Sequence, residues 1–155
     1  AGVDALITVD LPPEEVDEID GALQAVGLDN IFLISPTTPE ARIQTIVERA
    51  RGFIYCVAVK GVTGSGQLNA DEVSRSVALI REKTDLPIAV GFGIKDAESA
   101  RAIAASADAV VVGSALIAEM DKKAQSDEDL QEIQIHDAAV QLLQSMRAGV
   151  DSSPS

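Results

Sequence analysis

Short runs of β-branched and other apolar residues recur roughly every 25 residues along this chain, and a polar segment with helical spacing follows each of them. The runs are Ala5–Val9, Ile31–Ile34, Phe53–Val59, Pro87–Val90 and Ala109–Val112. Strands that are apolar on both faces and that alternate with helices form parallel sheets. The alternation therefore predicts a series of (β/α) units, and it constrains the fold more than any other feature.

The intervening segments carry start and stop signals for helices. The predicted helices are Glu14–Val26, Glu40–Ala50, one that begins at Asn69 or Asp71, one that ends at Ala105, and Leu130–Met146. Thr38 is expected to be the N-cap of the second helix, with Pro39 in its first position. Asp96 is expected to cap the fourth helix, and Gly27 to end the first. The segment 122–129 is expected to be a polar bridge before the last helix.

Five strands are too few for a closed barrel, which has eight strands and roughly 250 residues. Either the sheet is open, or about three (β/α) units lie upstream of Ala1. We expect an α/β fold of the (β/α)8 TIM-barrel family with about five units present, that is, a partial barrel. Residues 1–149 would form the domain, and residues 150–155 a disordered tail.

Charge and composition limit the possible functions. The 25 acidic and 12 basic residues give a net charge of −13, which disfavours nucleic acid and anionic membranes as partners. No stretch is long and apolar enough for a membrane helix, and no basic, hydrophobic leader opens the sequence. The single cysteine, Cys56, suits a reducing cytoplasm. With one cysteine and one histidine, His136, no metal site is expected.

Glycines follow the last three apolar runs directly. Gly61 and Gly64 come after the third run, Gly91 and Gly93 after the fourth, and Gly113 after the fifth. In a parallel barrel these positions converge on the C-terminal face, where backbone N–H groups can approach a ligand closely. Each glycine alone is equally compatible with a tight turn. Glycines after three successive apolar runs, the last followed by Ser114 and a helix start, predict a phosphate-binding site.

The glycine pattern matches neither of two common nucleotide-binding motifs. No glycine is followed by Lys-Ser or Lys-Thr in P-loop spacing, and Gly61–Gly66 lacks the order of a dinucleotide fingerprint. A small phosphorylated substrate is therefore expected.

Five loop segments carry a more specific signal. They are Asp10–Glu15, Pro36–Pro39, Gly61–Gly64, Gly91–Ile94 and Val112–Ala115. In this order they resemble the loops after strands four to eight of the tryptophan synthase alpha family. One such segment would be weak support, whereas the ordered set spans nearly the whole chain.

The resemblance implies a lyase of tryptophan biosynthesis that cleaves indole-3-glycerol phosphate into indole and glyceraldehyde 3-phosphate. The implied phosphate-binding positions are Gly64, Gly93, Gly113 and Ser114. The implied substrate pocket contains Ile7 and Leu33 as apolar wall, Tyr55, and Thr63 in a closing loop. The reaction needs protonation of an indole carbon and removal of a proton from a glycerol hydroxyl.

The family's two catalytic carboxylates, a Glu at strand two and an Asp in the following loop, belong to a region that this sequence does not contain. No residue here is therefore assigned as catalytic, and the chain alone is expected to be inactive. The resemblance implies that Asp10 lies in the surface that meets the beta subunit of an alpha2beta2 heterotetramer. Pyridoxal phosphate would belong to that beta subunit, and this chain would need no cofactor.

Two alternatives stay open on the sequence. One is another sugar-phosphate barrel, such as a relative from histidine or thiamine biosynthesis. The segments Gly61–Gly64 and Asp10–Glu15 argue against it. The other, should the natural chain begin at Ala1, is a non-catalytic half-barrel that binds phosphate or regulates a partner.

Overall fold

The computed structural model describes residues 2–9, 12, 14–58, 69–125 and 132–152, and its strands form one parallel sheet. The strands lie side by side in chain order: β1 (Ala5–Ile7), β2 (Asp29–Ile34), β3 (Ile54–Val57), β4 (Ile88–Gly91) and β5 (Ala109–Val111). The helices are α1 (Asp17–Ala25), α2 (Glu40–Arg49), α3 (Ala70–Arg81), α4 (Ala97–Ala104), α5 (Ser114–Gln125) and α6 (Glu132–Asp151). A helix follows each strand, which confirms the predicted five (β/α) units of a partial TIM barrel.

The hydrophobic core lies between one face of the sheet and the helices. Phe32, Ile54 and Ile88 are aligned across β2, β3 and β4 and are all buried. The helices cover this row with Ile43, Ile46, Val47, Val73, Val77, Ile80, Ala100 and Ile103. Burying an aliphatic side chain of this size contributes about 1.5–3 kcal/mol, so this layer is the main source of stability.

Cys56 belongs to the same core. It lies in β3 and is aligned with Ile34 of β2 and Val90 of β4. Its side chain is buried, and desolvation raises the pKa of the thiol to about 11. The thiol is therefore an unreactive packing group at neutral pH.

The first two helices begin differently from the prediction. The residues before α1 form a turn in which the Glu15 amide donates to the Pro12 carbonyl, and the helix begins only at Asp17. The prediction that Thr38 caps α2 is wrong, because Pro39 is the N-cap residue. The Thr38 hydroxyl instead accepts a hydrogen bond from the Ser35 amide at 3.0 Å, which closes the preceding turn.

For the next two helices, the start predicted at Asn69 or Asp71 falls at Asn69, and the cap predicted at Asp96 is confirmed. The Asn69 side chain accepts hydrogen bonds from two amides of the first turn of α3. Asp96 and Ser99 form a reciprocal capping box at the start of α4. These caps satisfy N–H groups that a helix cannot pair internally.

Both C-terminal helices are longer than predicted. Helix α5 runs to Gln125, so residues 122–125 are helical and do not form part of a polar bridge. Helix α6 runs to Asp151, so residues 150 and 151 are helical although they were expected in the tail. The reason is packing, since Val150 lies against the core and an ideal Cβ on Gly149 would lie only 2.4 Å from the Ala97 carbonyl oxygen of α4. Residues 153–155 lie outside the described part.

Asp108 joins the beginnings of β4 and β5. One oxygen of its carboxylate accepts hydrogen bonds from the Ile88 amide and from the Arg81 guanidinium, each at 2.8 Å. The Asp108 amide in turn donates to the Ile88 carbonyl. The hydrogen bond from Ile88, followed by that from Arg81, holds the pKa of Asp108 below its ordinary value of 3.8.

We expect Asp108→Asn to lower the free energy of unfolding at pH 7 by less than about 1 kcal/mol, because this carboxylate is partly exposed and its ion pair is screened. A folded-state pKa below 3.8 means that the carboxylate adds stability above that value and loses it as the pH falls through the folded pKa. Urea unfolding of both proteins should differ at pH 7 and coincide near about pH 2. If the two proteins still differ in free energy of unfolding near about pH 2, altered packing causes the difference and the carboxylate charge does not.

Asn30 is a buried polar residue in this otherwise apolar core, with 1% of its surface exposed. Its Oδ1 accepts a hydrogen bond from the Thr8 hydroxyl at 2.6 Å, but its Nδ2 has no partner among the described residues. A hydrogen bond contributes about 0.5–1.5 kcal/mol, whereas an unsatisfied buried donor costs about 1–3 kcal/mol. The cost of the unpartnered Nδ2 is therefore comparable to, or larger than, what the Thr8–Asn30 hydrogen bond contributes.

Candidate functional site

The turn after β4 reverses the chain through two successive residues in the left-handed region. Phe92 has φ 75° and Gly93 has φ 77°, and Phe92 is the one described non-glycine residue with positive φ. This conformation costs a residue with a side chain roughly 1–2 kcal/mol. The buried Ile94 and the capped start of α4 at Asp96 hold the turn in place. A strained turn fixed from both sides is typical of a ligand-binding position.

The chain enters α5 directly after β5. The Gly113 carbonyl accepts from the amides of Leu116 and Ile117, so the first helical turn begins there. The amides of Ser114 and Ala115 precede the first intrahelical hydrogen bond and, like the helix dipole, present positive charge. A Cβ on Gly113 would meet no atom of the described residues within 4 Å, so none of them crowds this side of Gly113. An anion can approach these amides.

The two turns are neighbours at one edge of the sheet. Gly91 of β4 is paired with Val111 of β5, and Gly93 and Gly113 each lie two residues beyond this pair. Adjacent strands are about 4.8 Å apart, so the two turns begin side by side at the same edge of the sheet. The structure thus brings together three of the four predicted phosphate-binding residues: Gly93, Gly113 and Ser114.

The predicted pocket residues of the strands share the other face of the sheet, which we call the inner face. It is formed by Ile7, Ile31, Leu33, Tyr55, Ala89 and Gly91. Leu33, Tyr55 and Ala89 are aligned across three strands. Ile7 is aligned with Ile31 and is 48% exposed. The predicted apolar wall is therefore continuous across β1, β2 and β3.

Tyr55 is packed tightly against the end of β4. A Cβ on Gly91 would lie 1.9 Å from the Tyr55 hydroxyl oxygen, so the absence of a side chain at Gly91 makes room for the phenol. The Phe92 ring meets the Tyr55 ring edge to face, with centroids 6.2 Å apart. Burial raises the pKa of Tyr55, so its hydroxyl stays protonated and can donate a hydrogen bond.

Two residues of this site were missed by sequence reasoning. The sequence pattern places Gly91 in a turn, but it is the last residue of β4, and its lack of a side chain makes room for Tyr55. Phe92 was not singled out, although its left-handed backbone shapes the turn. Its position between two glycines was the available signal. Asp10, Thr63 and Gly64, the other predicted site residues, lie outside the described residues.

The described ranges contain neither a metal-ligand cluster nor a helix able to cross a membrane. Within them, no group of three or more His, Cys, Asp or Glu side chains could hold a metal ion. His136 is exposed on α6 beside Asp137, whose carboxylate oxygen lies 3.9 Å from its Nδ1. No helix in the described part of the chain combines the length and hydropathy that a bilayer span requires.

The sequence is similar to one protein family along nearly its whole length. The family model described as tryptophan synthase alpha chain matches residues 1–147. The tryptophan synthase alpha chain of Chromobacterium violaceum is 55% identical over 121 residues, which is 78% of this chain and 46% of that protein. That of Bordetella parapertussis is 50% identical over 152 residues, or 97% of this chain and 53% of that protein. The chain thus spans about half the length of the relatives it matches.

Solved structures agree with these relatives. Tryptophan synthase subunit alpha from Legionella pneumophila superposes with a TM-score of 0.79 at 38% identity, covering 97% of this chain and 53% of that one. The aminoacrylate-bound form of tryptophan synthase from M. tuberculosis gives a TM-score of 0.75 at 29% identity, covering 96% of this chain and 51% of that one.

Proposed function

This chain belongs to the tryptophan synthase alpha chain family, and on that premise we propose that it supplies the phosphate-binding half of a site that cleaves indole-3-glycerol phosphate. The products of that reaction are indole and glyceraldehyde 3-phosphate, and the reaction class is that of a lyase. The family match favours this function over that of another sugar-phosphate barrel.

One observation carries the proposal. The left-handed turn at Gly93 and the helix start at Gly113–Ser114 lie side by side, each two residues beyond the paired Gly91 and Val111. Backbone N–H groups and the Ser114 hydroxyl can bind the substrate phosphate there without a cationic side chain. This mode of binding suits a protein whose net charge is −13, because the positive charge is local and belongs to the backbone.

The inner face supports the rest of the substrate. A phosphate held at the ends of β4 and β5 directs the glycerol carbons and the indole ring across the sheet towards β3, β2 and β1. Tyr55, Leu33 and Ile7 lie on that path and offer apolar surface to the ring. The phosphate contributes binding energy remote from the bond that breaks, and so helps to orient that bond.

The proton transfers are assigned to the family's Glu and Asp, which this sequence does not contain, so the 155-residue chain is expected to bind but not to cleave. Its partner in this proposal is the beta subunit in an alpha2beta2 complex, with Asp10 as a contact. Pyridoxal phosphate belongs to that partner, and this chain holds no cofactor. A cytoplasmic location fits the single unpaired thiol of Cys56.

Amide chemical shifts of the labelled chain test the proposal. Titration with glycerol 3-phosphate should shift the amides of Gly93, Gly113, Ser114 and Ala115 in a saturable way, because the phosphate contacts them. Indole-3-glycerol phosphate should shift the same amides and, in addition, side-chain signals of Ile7, Leu33 and Tyr55. Glycerol without phosphate is the control and should shift none of them. Saturable shifts confined to other parts of the chain would refute the proposal.

A further inference from the structure

Strand β1 lacks the features that usually fix the register of a strand. Its residues Ala5–Ile7 are all apolar, and Val9 continues the pattern beyond Thr8. Leu6 and Ile7 point to opposite faces, so a shift by one residue only exchanges apolar side chains between the two faces of the sheet. A register is strongly specified where an apolar face alternates with a polar one. The apolar pattern of β1 therefore does not by itself select one register.

The hydrogen bond between Thr8 and Asn30, in contrast, is possible in one register of β1 and not in its neighbours. Leu6 is aligned with Asn30, and Thr8 projects on the same side of the sheet as Leu6. In this register the Thr8 hydroxyl reaches the buried Oδ1 of Asn30 at 2.6 Å. A shift by one residue would turn Thr8 to the opposite face, and a shift by two would displace it by about 6.6 Å along the strand. Either shift would leave both polar atoms of the Asn30 amide without a partner.

We propose that the Thr8–Asn30 hydrogen bond fixes the register of β1 on β2 and thereby positions Ile7 on the inner face. The Nδ2 atom, unpartnered among the described residues, offsets what the hydrogen bond contributes, so the pair serves structural specificity more than stability. Thr8 and Asn30 are positioning residues, because they act through Ile7. The relevance to substrate rests on the proposed function, whereas the register itself does not.

The double variant Thr8→Val with Asn30→Leu tests this proposal in the 155-residue chain. The Tm should stay level or rise, because an unsatisfied buried donor is removed. Cross-strand NOEs between Ile7 and Ile31 should weaken, and the amides of residues 5–7 should exchange at least about tenfold faster, while those of β3 and β4 keep their rates. NOEs and exchange rates that match the wild type would overturn the proposal.

Single variants separate the hydrogen bond from the change in shape. Thr8→Ser keeps the hydroxyl donor and should preserve the NOEs, whereas Thr8→Val keeps the shape and should lose them. This pair also decides the question if the double variant folds poorly. Thr45→Val is the matched control, since the Thr45 hydroxyl lies on α2 and donates to the Ala41 carbonyl of the same helix, and it should leave β1 unchanged. Because no readout needs a ligand, failure of the wild type to bind indole-3-glycerol phosphate would count against the proposed function alone.

Discussion

Gly113→Asp is expected to weaken phosphate binding at least about tenfold while leaving the fold intact. Like charges about 4 Å apart near a protein surface repel by about 1–4 kcal/mol, and about 1.4 kcal/mol corresponds to a factor of ten. The fold should tolerate the side chain, because a Cβ on Gly113 meets nothing within 4 Å and its φ is not positive. An acidic residue also favours a helix N-terminus by about 0.3–1 kcal/mol.

Gly113→Asn is the matched control, since it has the same shape without the charge. Titration calorimetry with glycerol 3-phosphate should give a much weaker Kd for the Asp variant than for the Asn variant, and both should have melting temperatures close to that of the wild type. Equal losses in the two variants would mean that the side chain acts by bulk alone. Wild-type affinity in the Asp variant would remove the start of α5 from the phosphate site.

Gly91→Ala is expected to destabilise the protein by about 1–3 kcal/mol, which is the usual cost of overpacking a tight interior. The added methyl would lie 1.9 Å from the Tyr55 hydroxyl oxygen and 2.5 Å from Cζ, so the phenol must move. Because the Tyr55 ring also meets Phe92, this movement should disturb the turn at Gly93 and weaken phosphate binding as well. Urea unfolding and the same calorimetric titration measure both effects.

Combining Gly91→Ala with Tyr55→Leu should recover part of the loss. Leucine lacks the three ring atoms that crowd this position, Oη, Cζ and Cε1, yet it keeps much of the apolar bulk. A double-mutant cycle should give a coupling energy of at least about 1 kcal/mol. Gly21→Ala in α1, where a Cβ meets nothing within 4 Å, is the control and should be neutral or stabilising. Simple additivity at Gly91 and Tyr55 would contradict the packing argument.

Sequence reasoning found the strands because each is a short apolar run rich in β-branched residues. Their boundaries fell within about two residues because such runs end at glycine, proline or acidic residues. The helix start at Asn69 and the cap at Asp96 were found for a similar reason, since a side chain that accepts from the first-turn amides acts locally. The Thr38 hydroxyl could accept a hydrogen bond either from an amide in the first turn of α2 or from the Ser35 amide. In the structure it accepts from Ser35.

Sequence reasoning could not predict features that depend on contacts between segments distant in the chain. The length of α6 reflects the fit of Gly149 and Val150 against other elements. The role of Gly91 depends on which residue of β3 lies beside it, and register is not visible in the sequence of one strand. The glycines proposed to bind phosphate were predicted because they follow apolar runs in the sequence, a purely sequential property. The left-handed Phe92 between them is a conformation that side chains disfavour.

Because Cys56 is buried, the reactivity of its thiol measures how often the structure around it opens. With the pKa of the thiol near 11, only about one molecule in a thousand carries the thiolate at pH 8 while the sheet and helices stay together. An alkylating reagent therefore reacts mainly with chains in which the layer over β3 has separated. Since this is the sole cysteine, the rate at which unmodified protein disappears records that separation, without any label added to the chain.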